Sequence, residues 1–82
     1  MELKIAGYTM YKEAGSFHTK SYDSIILDGV KEIFQNLLME YGINGTVRRV
    51  RSARHGYYMA KLIIHFASQD DEHMALMQFG EA

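Results

Sequence analysis

An 82-residue chain that is 48% apolar and 23% charged has room for one small domain, and too much apolar content to stay disordered. No apolar run exceeds four residues and there is no cysteine, so a membrane-spanning helix, disulfides, thiolate metal sites and a cysteine nucleophile are excluded, with no secretory leader and a cytoplasmic setting expected. The net charge of −1 hides an asymmetry: residues 44–67 hold Arg48, Arg49, Arg51, Arg54 and Lys61 without a carboxylate, and all ten carboxylates lie elsewhere.

Residues 2–11 predict one strand, with Leu3, Ile5 and Thr9 on one parity and Lys4, Ala6, Tyr8 and Met10 on the other. Gly7 is expected to mark a bulge. Residues 12–21 show no period and predict a loop pinned to the body by Phe17. A helix follows, capped by Asp23 or Ser24, with Ile26, Val30, Ile33, Phe34, Leu37 and Tyr41 at helical spacing on one face. Gly42 is the expected left-handed terminator. Gly29, inside the helix pattern, is expected to allow close backbone packing.

Asn44-Gly45 is a turn signal. Residues 46–53 and 57–66 then predict two strands joined by a tight turn over 54–56. In the second, Ala60, Leu62, Ile64 and Phe66 point to the core, and Tyr57, Met59, Lys61, Ile63 and His65 point away. Val47 and Val50 have opposite parity, so a bulge at Arg48-Arg49 is expected to bring both inward and aim Arg49 and Arg51 outward. Ser68 with Asp71 three residues later predicts a capping box. The last helix is expected to bury Met74 and Met77, with Leu76 and Phe79. Its acidic first turn suits the helix dipole better than a metal site. The expected fold is one α+β domain over 1–82, in the order β-α-β-β-α. It has a three-stranded antiparallel sheet with two helices packed on one face.

If the helices cover one side of the sheet, the other side carries Lys4, Tyr8, Arg49, Arg51, Tyr57, Met59, Lys61 and His65. Candidates for binding an anion or nucleic acid are Lys4, Arg48, Arg49, Arg51, Arg54 and Lys61, because cations meet phosphates or carboxylates. Candidate aromatic or apolar contacts are Tyr8, Tyr57, Tyr58 and Met59. His55-Gly56-Tyr57-Tyr58-Met59-Ala60-Lys61-Leu62 resembles in part the RNA-stacking octapeptide of RNA-recognition-motif domains, through its Gly-Tyr pair and the alternation after it. Met59 stands where that family has its second ring, and Lys4 where its first strand has one.

The histidines have no metal-ligand spacing, and no nucleophile elbow, phosphate loop or paired carboxylate motif is present. The expectation is therefore a non-catalytic protein-interaction module without metal or cofactor, an inhibitor or adaptor of the kind phages and mobile elements encode. It would engage an anionic partner through the basic, aromatic hairpin 46–66. The alternative is an RNA or single-stranded nucleic-acid binder using the same face. A third reading is a small ribonuclease using His55 and His65 as acid and base. Open sheet edges also predict a homodimer.

Overall fold

Residues 2–19 fold as three antiparallel strands, β1 (Glu2–Ile5), β2 (Tyr8–Glu13) and β3 (Ser16–Thr19), joined by two turns of the same sequence. Ile5 pairs with Tyr8 and Glu13 with Ser16, leaving the two-residue loops Ala6-Gly7 and Ala14-Gly15. In each loop the alanine has φ 51° and the glycine φ 84°, the doubly left-handed geometry that matches the twist of the flanking strands. This corrects both the single strand with a bulge at Gly7 and the loop over 12–21. Alanine is an uncommon residue in the first turn position, so neither turn carries the usual Asn-Gly or Asp-Gly signal. The first turn also resets the parity: Leu3 and Ile5 share their side of the sheet with Tyr8 and Met10, and Thr9 turns away. Phe17 is a fully buried strand residue.

The computed structural model describes residues 1–52 and 58–81. Within them the sheet has seven strands, where three were expected. β4 (Tyr22–Asp23) continues the line of β3 beyond Lys20 and Ser21, and both lie along one edge of β6 (Met59–Phe66). β5 (Gly45–Arg51) takes the opposite edge of β6. β7 (Gly80–Glu81) pairs with β1 at the far side. The pattern missed these strands because they are short and β3 carries one large apolar residue.

Asp23 caps α1 (Ser24–Leu27), its carboxylate accepting from the Ile25 amide at 2.9 Å. The expected single helix breaks at Gly29. Its φ of 90° is left-handed, and a Cβ there would meet nothing within 4 Å, so the glycine serves the break and not close packing. After it, α2 (Val30–Glu40) buries Val30, Phe34 and Leu38, whereas Ile26, Ile33 and Tyr41 are exposed. Gly42, at φ 69°, ends the helix as expected. Ser68 caps α3 (Gln69–Phe79) by accepting from the Asp71 amide at 3.2 Å. There the core contact is Ala75, with Leu76 and Phe79 partly buried, and Met74 and Met77 face outward. No helix among the described residues is long and apolar enough to cross a membrane.

The helices lie on one side of the sheet. Leu3, Ile5, Met10, Phe17, Leu62 and Ile64 close against Leu27, Phe34, Leu38 and Ala75. Asp71 ties the start of β5 to this layer. Its Oδ1 accepts from the Asn44 amide at 2.8 Å and its Oδ2 from the Ser68 hydroxyl at 2.7 Å. These two bonds, the Asn44 one foremost, hold the carboxyl below its ordinary pKa against the opposing effect of burial.

Two outcomes follow from this architecture. Ala6→Asn and Ala14→Asn should each raise stability by about 1 kcal/mol in urea unfolding, since asparagine tolerates the left-handed region that costs alanine about 1–2 kcal/mol. Asp71→Ala should destabilise the fold at neutral pH, and the gap from the native chain should narrow as pH falls below about 4. A carboxylate with a depressed folded pKa contributes fully above its unfolded pKa, and that contribution disappears on protonation.

Candidate binding face

The side of the sheet away from the helices is crossed by one continuous row of paired residues. Arg48 on β5 lies opposite Ile63 on β6, Ile63 opposite His18 on β3, and His18 opposite Tyr11 on β2. Tyr11 then lies opposite Glu2 on β1, and Glu2 opposite Glu81 on β7. The row begins with a cation, passes an aliphatic side chain and two rings, and ends with two carboxylates. On the cationic side, Val50 opposes Lys61 and Thr46 opposes His65. On the acidic side, Glu13 opposes Ser16. No helix among the described residues covers this face, yet Tyr11, His18, Val50, Lys61 and Ile63 are half-buried. The result is an amphipathic surface with cations at the β5–β6 end and three glutamates, beside a single Lys4, at the other.

At its centre the Tyr11 and His18 rings stack, with centroids 6.5 Å apart and planes inclined by 21°. The Ser16 hydroxyl donates to the Glu13 carbonyl at 3.3 Å and lies 2.8 Å from His18 Nε2. His18 Nδ1 is buried with no partner among the described residues. Ser16 is itself buried, so this pair orients a ring and does not expose a nucleophile.

The sequence-based candidates divide between the two faces. Lys4, Met59, Lys61 and His65 are on the open face as expected, Lys4 opposite Thr9 and Met59 opposite Asp23. Arg48 is there too, which the expected bulge had assigned differently. β5 pairs regularly from Gly45 to Arg51, so no bulge exists at Arg48-Arg49 and Val50 points to the open side. Arg49 and Arg51 share the parity of the buried Val47 and lie on the helix side, where with Ser24 and Ala60 they line a small recess. Arg49 is held there: its guanidinium donates to the Ser24 carbonyl at 3.3 Å, to the Ser24 hydroxyl at 3.1 Å and to the Asp28 carboxylate.

Tyr8 also belongs to the helix side, edge-on to Tyr22 at 5.2 Å and to Phe34 at 5.9 Å. Tyr58 is 77% exposed just before β6. Arg54, His55 and Tyr57, with the tight turn and most of the Gly-Tyr resemblance, lie outside the described residues. Tyr11, His18, Val50 and Ile63 complete the open face. His18 was hidden because residues 12–21 lacked a recognisable strand pattern. Tyr11 shares its face with Thr9, a parity that becomes meaningful only once the turn at Ala6-Gly7 is recognised.

The division of the arginines is measurable. Arg49→Ala should lower stability by less than about 1 kcal/mol, with a coupling to Asp28→Ala that shrinks in high salt, because both partners are largely exposed. Arg48→Ala should leave the urea midpoint unchanged. Comparison with family models, with curated proteins and with solved structures returns no match for this chain.

Proposed function

We propose that the chain is a non-catalytic interaction module, an inhibitor or adaptor that binds an acidic protein surface through the β5–β6 side of its open face. The observation that carries this reading is the bipolar row. Arg48 and Lys61 sit diagonally on neighbouring strands with Val50 and Ile63 filling the other diagonal. Glu2, Glu13 and Glu81 occupy the opposite side. Half-buried aliphatic side chains framed by arginine and lysine are typical of a protein contact, in which apolar area supplies affinity and charge fixes orientation. The separation of charge suits a folded partner, whose surface can carry the complementary pattern. A cysteine-free chain also fits work in a reducing cytoplasm.

One feature favours a second reading. The stacked Tyr11 and His18 rings on the middle strands offer a flat platform of the kind single-stranded RNA uses. A strand running across the face from Arg48 would meet the three glutamates, offset only by Lys4, and its phosphates would be repelled there. The protein reading is therefore the stronger one.

Fluorescence anisotropy decides between them. The probes are a labelled ten-residue peptide of alternating threonine and glutamate, and labelled decauridylate, each at low and moderate salt. The peptide should bind at low salt, weaken as salt rises, and be lost in the Arg48→Glu, Lys61→Glu variant with an unchanged circular dichroism spectrum. RNA bound more tightly than the peptide, and lost in Tyr11→Ala, His18→Ala, would establish the second reading. Binding of neither probe would sink both.

A further inference from the structure

We infer that the acidic partner binds by adding an extended strand to the free edge of β5. The inference rests on the reading above and specifies its mode. The hydrogen bonds that bracket β5 show which backbone groups that edge presents. At one end the Ser52 amide donates to the Met59 carbonyl at 3.0 Å, and at the other the Ala67 amide donates to the Asn44 carbonyl at 3.0 Å. In an antiparallel ladder such bonded pairs alternate with non-bonded ones. With the β5–β6 register, the even-numbered residues Thr46, Arg48 and Val50 direct their amides and carbonyls into β6. The odd-numbered Gly45, Val47 and Arg49 direct theirs to the free edge. No strand among the described residues pairs there. Unpaired strand edges are templates for another chain, and main-chain bonds supply affinity without a dedicated pocket.

The surroundings of that edge select the occupant. Arg48 stands on the open side of it. On the helix side Lys31 and Arg49, the latter paired with Asp28, border one recess, which adjoins a groove of about 600 Å³ between α2 and the Ile43–Gly45 segment that Glu32 also lines. An added strand would thus run beside Arg48 on its open face and Lys31 on its helix face, the Arg49 charge being met by Asp28. A strand with acidic side chains fits, and its residues facing the helices would enter the groove. A second copy fits less well, because the full overlap of two antiparallel β5 strands sets Arg48 directly against its own copy, and opposed like charges destabilise a strand pair.

Amide hydrogen exchange of the ¹⁵N-labelled chain tests this, with the same threonine–glutamate peptide as probe. Saturating peptide should slow exchange at Gly45, Val47 and Arg49 by about tenfold or more, and leave Thr46, Arg48 and Val50 unchanged because they are already bonded to β6. The same peptide N-methylated at every residue keeps its charge, loses its donors and should give no odd-numbered protection. Peptide binding without that alternating pattern, or equal protection by the methylated peptide, would overturn strand addition and leave the acidic-partner reading standing. Failure of the peptide to bind would remove both. Protection of the odd amides by decauridylate in place of the peptide would overturn the inference in favour of a phosphate backbone.

Discussion

Everything in the sheet depends on how β6 is joined to the strands before it, and the join is completed by a side chain. β3 pairs with β6 at Phe17 and His18, and pairing resumes only at Tyr22. In the gap the buried Leu62 amide donates to Thr19 Oγ1 at 2.9 Å, and the same hydroxyl donates on to the Lys20 carbonyl at 2.8 Å. Left unpaired in the middle of the sheet, that amide would cost about 1–3 kcal/mol. Thr19, wholly inaccessible to solvent, supplies the partner that the interrupted strand cannot. It thereby fixes the register of β6 against the meander. A slip of one residue would turn Leu62 and Ile64 out of the core and bring Lys61 and Ile63 in.

The parts of this fold legible in the sequence are those where one signal acts alone. The alternation of β6, the caps Asp23 and Ser68, and the left-handed Gly42 stand as expected, because each follows from side-chain chemistry within a few residues. The meander was hidden for a different reason. Its turns place alanine in a conformation usually given to asparagine, aspartate or glycine, and β3 is polar at Ser16, His18 and Thr19. Those polar residues are held by partners that no periodicity reveals: a hydroxyl under an imidazole, and a hydroxyl under a distant amide. The helix likewise turned differently from its pattern. Gly29 uncouples α1 from α2, so Ile26 and Phe34 no longer belong to one continuous face.

The arginine run shows why a charge cluster on a strand is not a charge patch. Successive residues of β5 project to opposite sides, so Arg48 and Arg49 are neighbours in sequence and strangers in space. The bulge was expected because Val47 and Val50 both looked like core residues. The structure satisfies them separately, Val47 under α2 and Val50 against Lys61 on the open face. An open face that already holds Ile63 and Tyr11 can shelter a valine, and the reason for a bulge disappears. Half of the candidate face was therefore legible through β6, while the contribution of β2, β3 and β5 required the register.

Among the described residues the helices leave one face and one edge of the sheet uncovered. The sheet is five strands wide from β5 to β1, about 19 Å across at the usual spacing. Two helices of eleven residues, each about 10 Å wide and 16 Å long, cover that width once. α2 lies over β5 and α3 over β1, with the short α1 over β6 between them. The opposite side must then be tolerable in water, and it is made so by alternating polar residues with aliphatic ones sheltered by their neighbours. In the proposed reading those same features would make the uncovered surface selective, since an acidic partner would bring carboxylates to the β5 side while matching the glutamates at the β1 side.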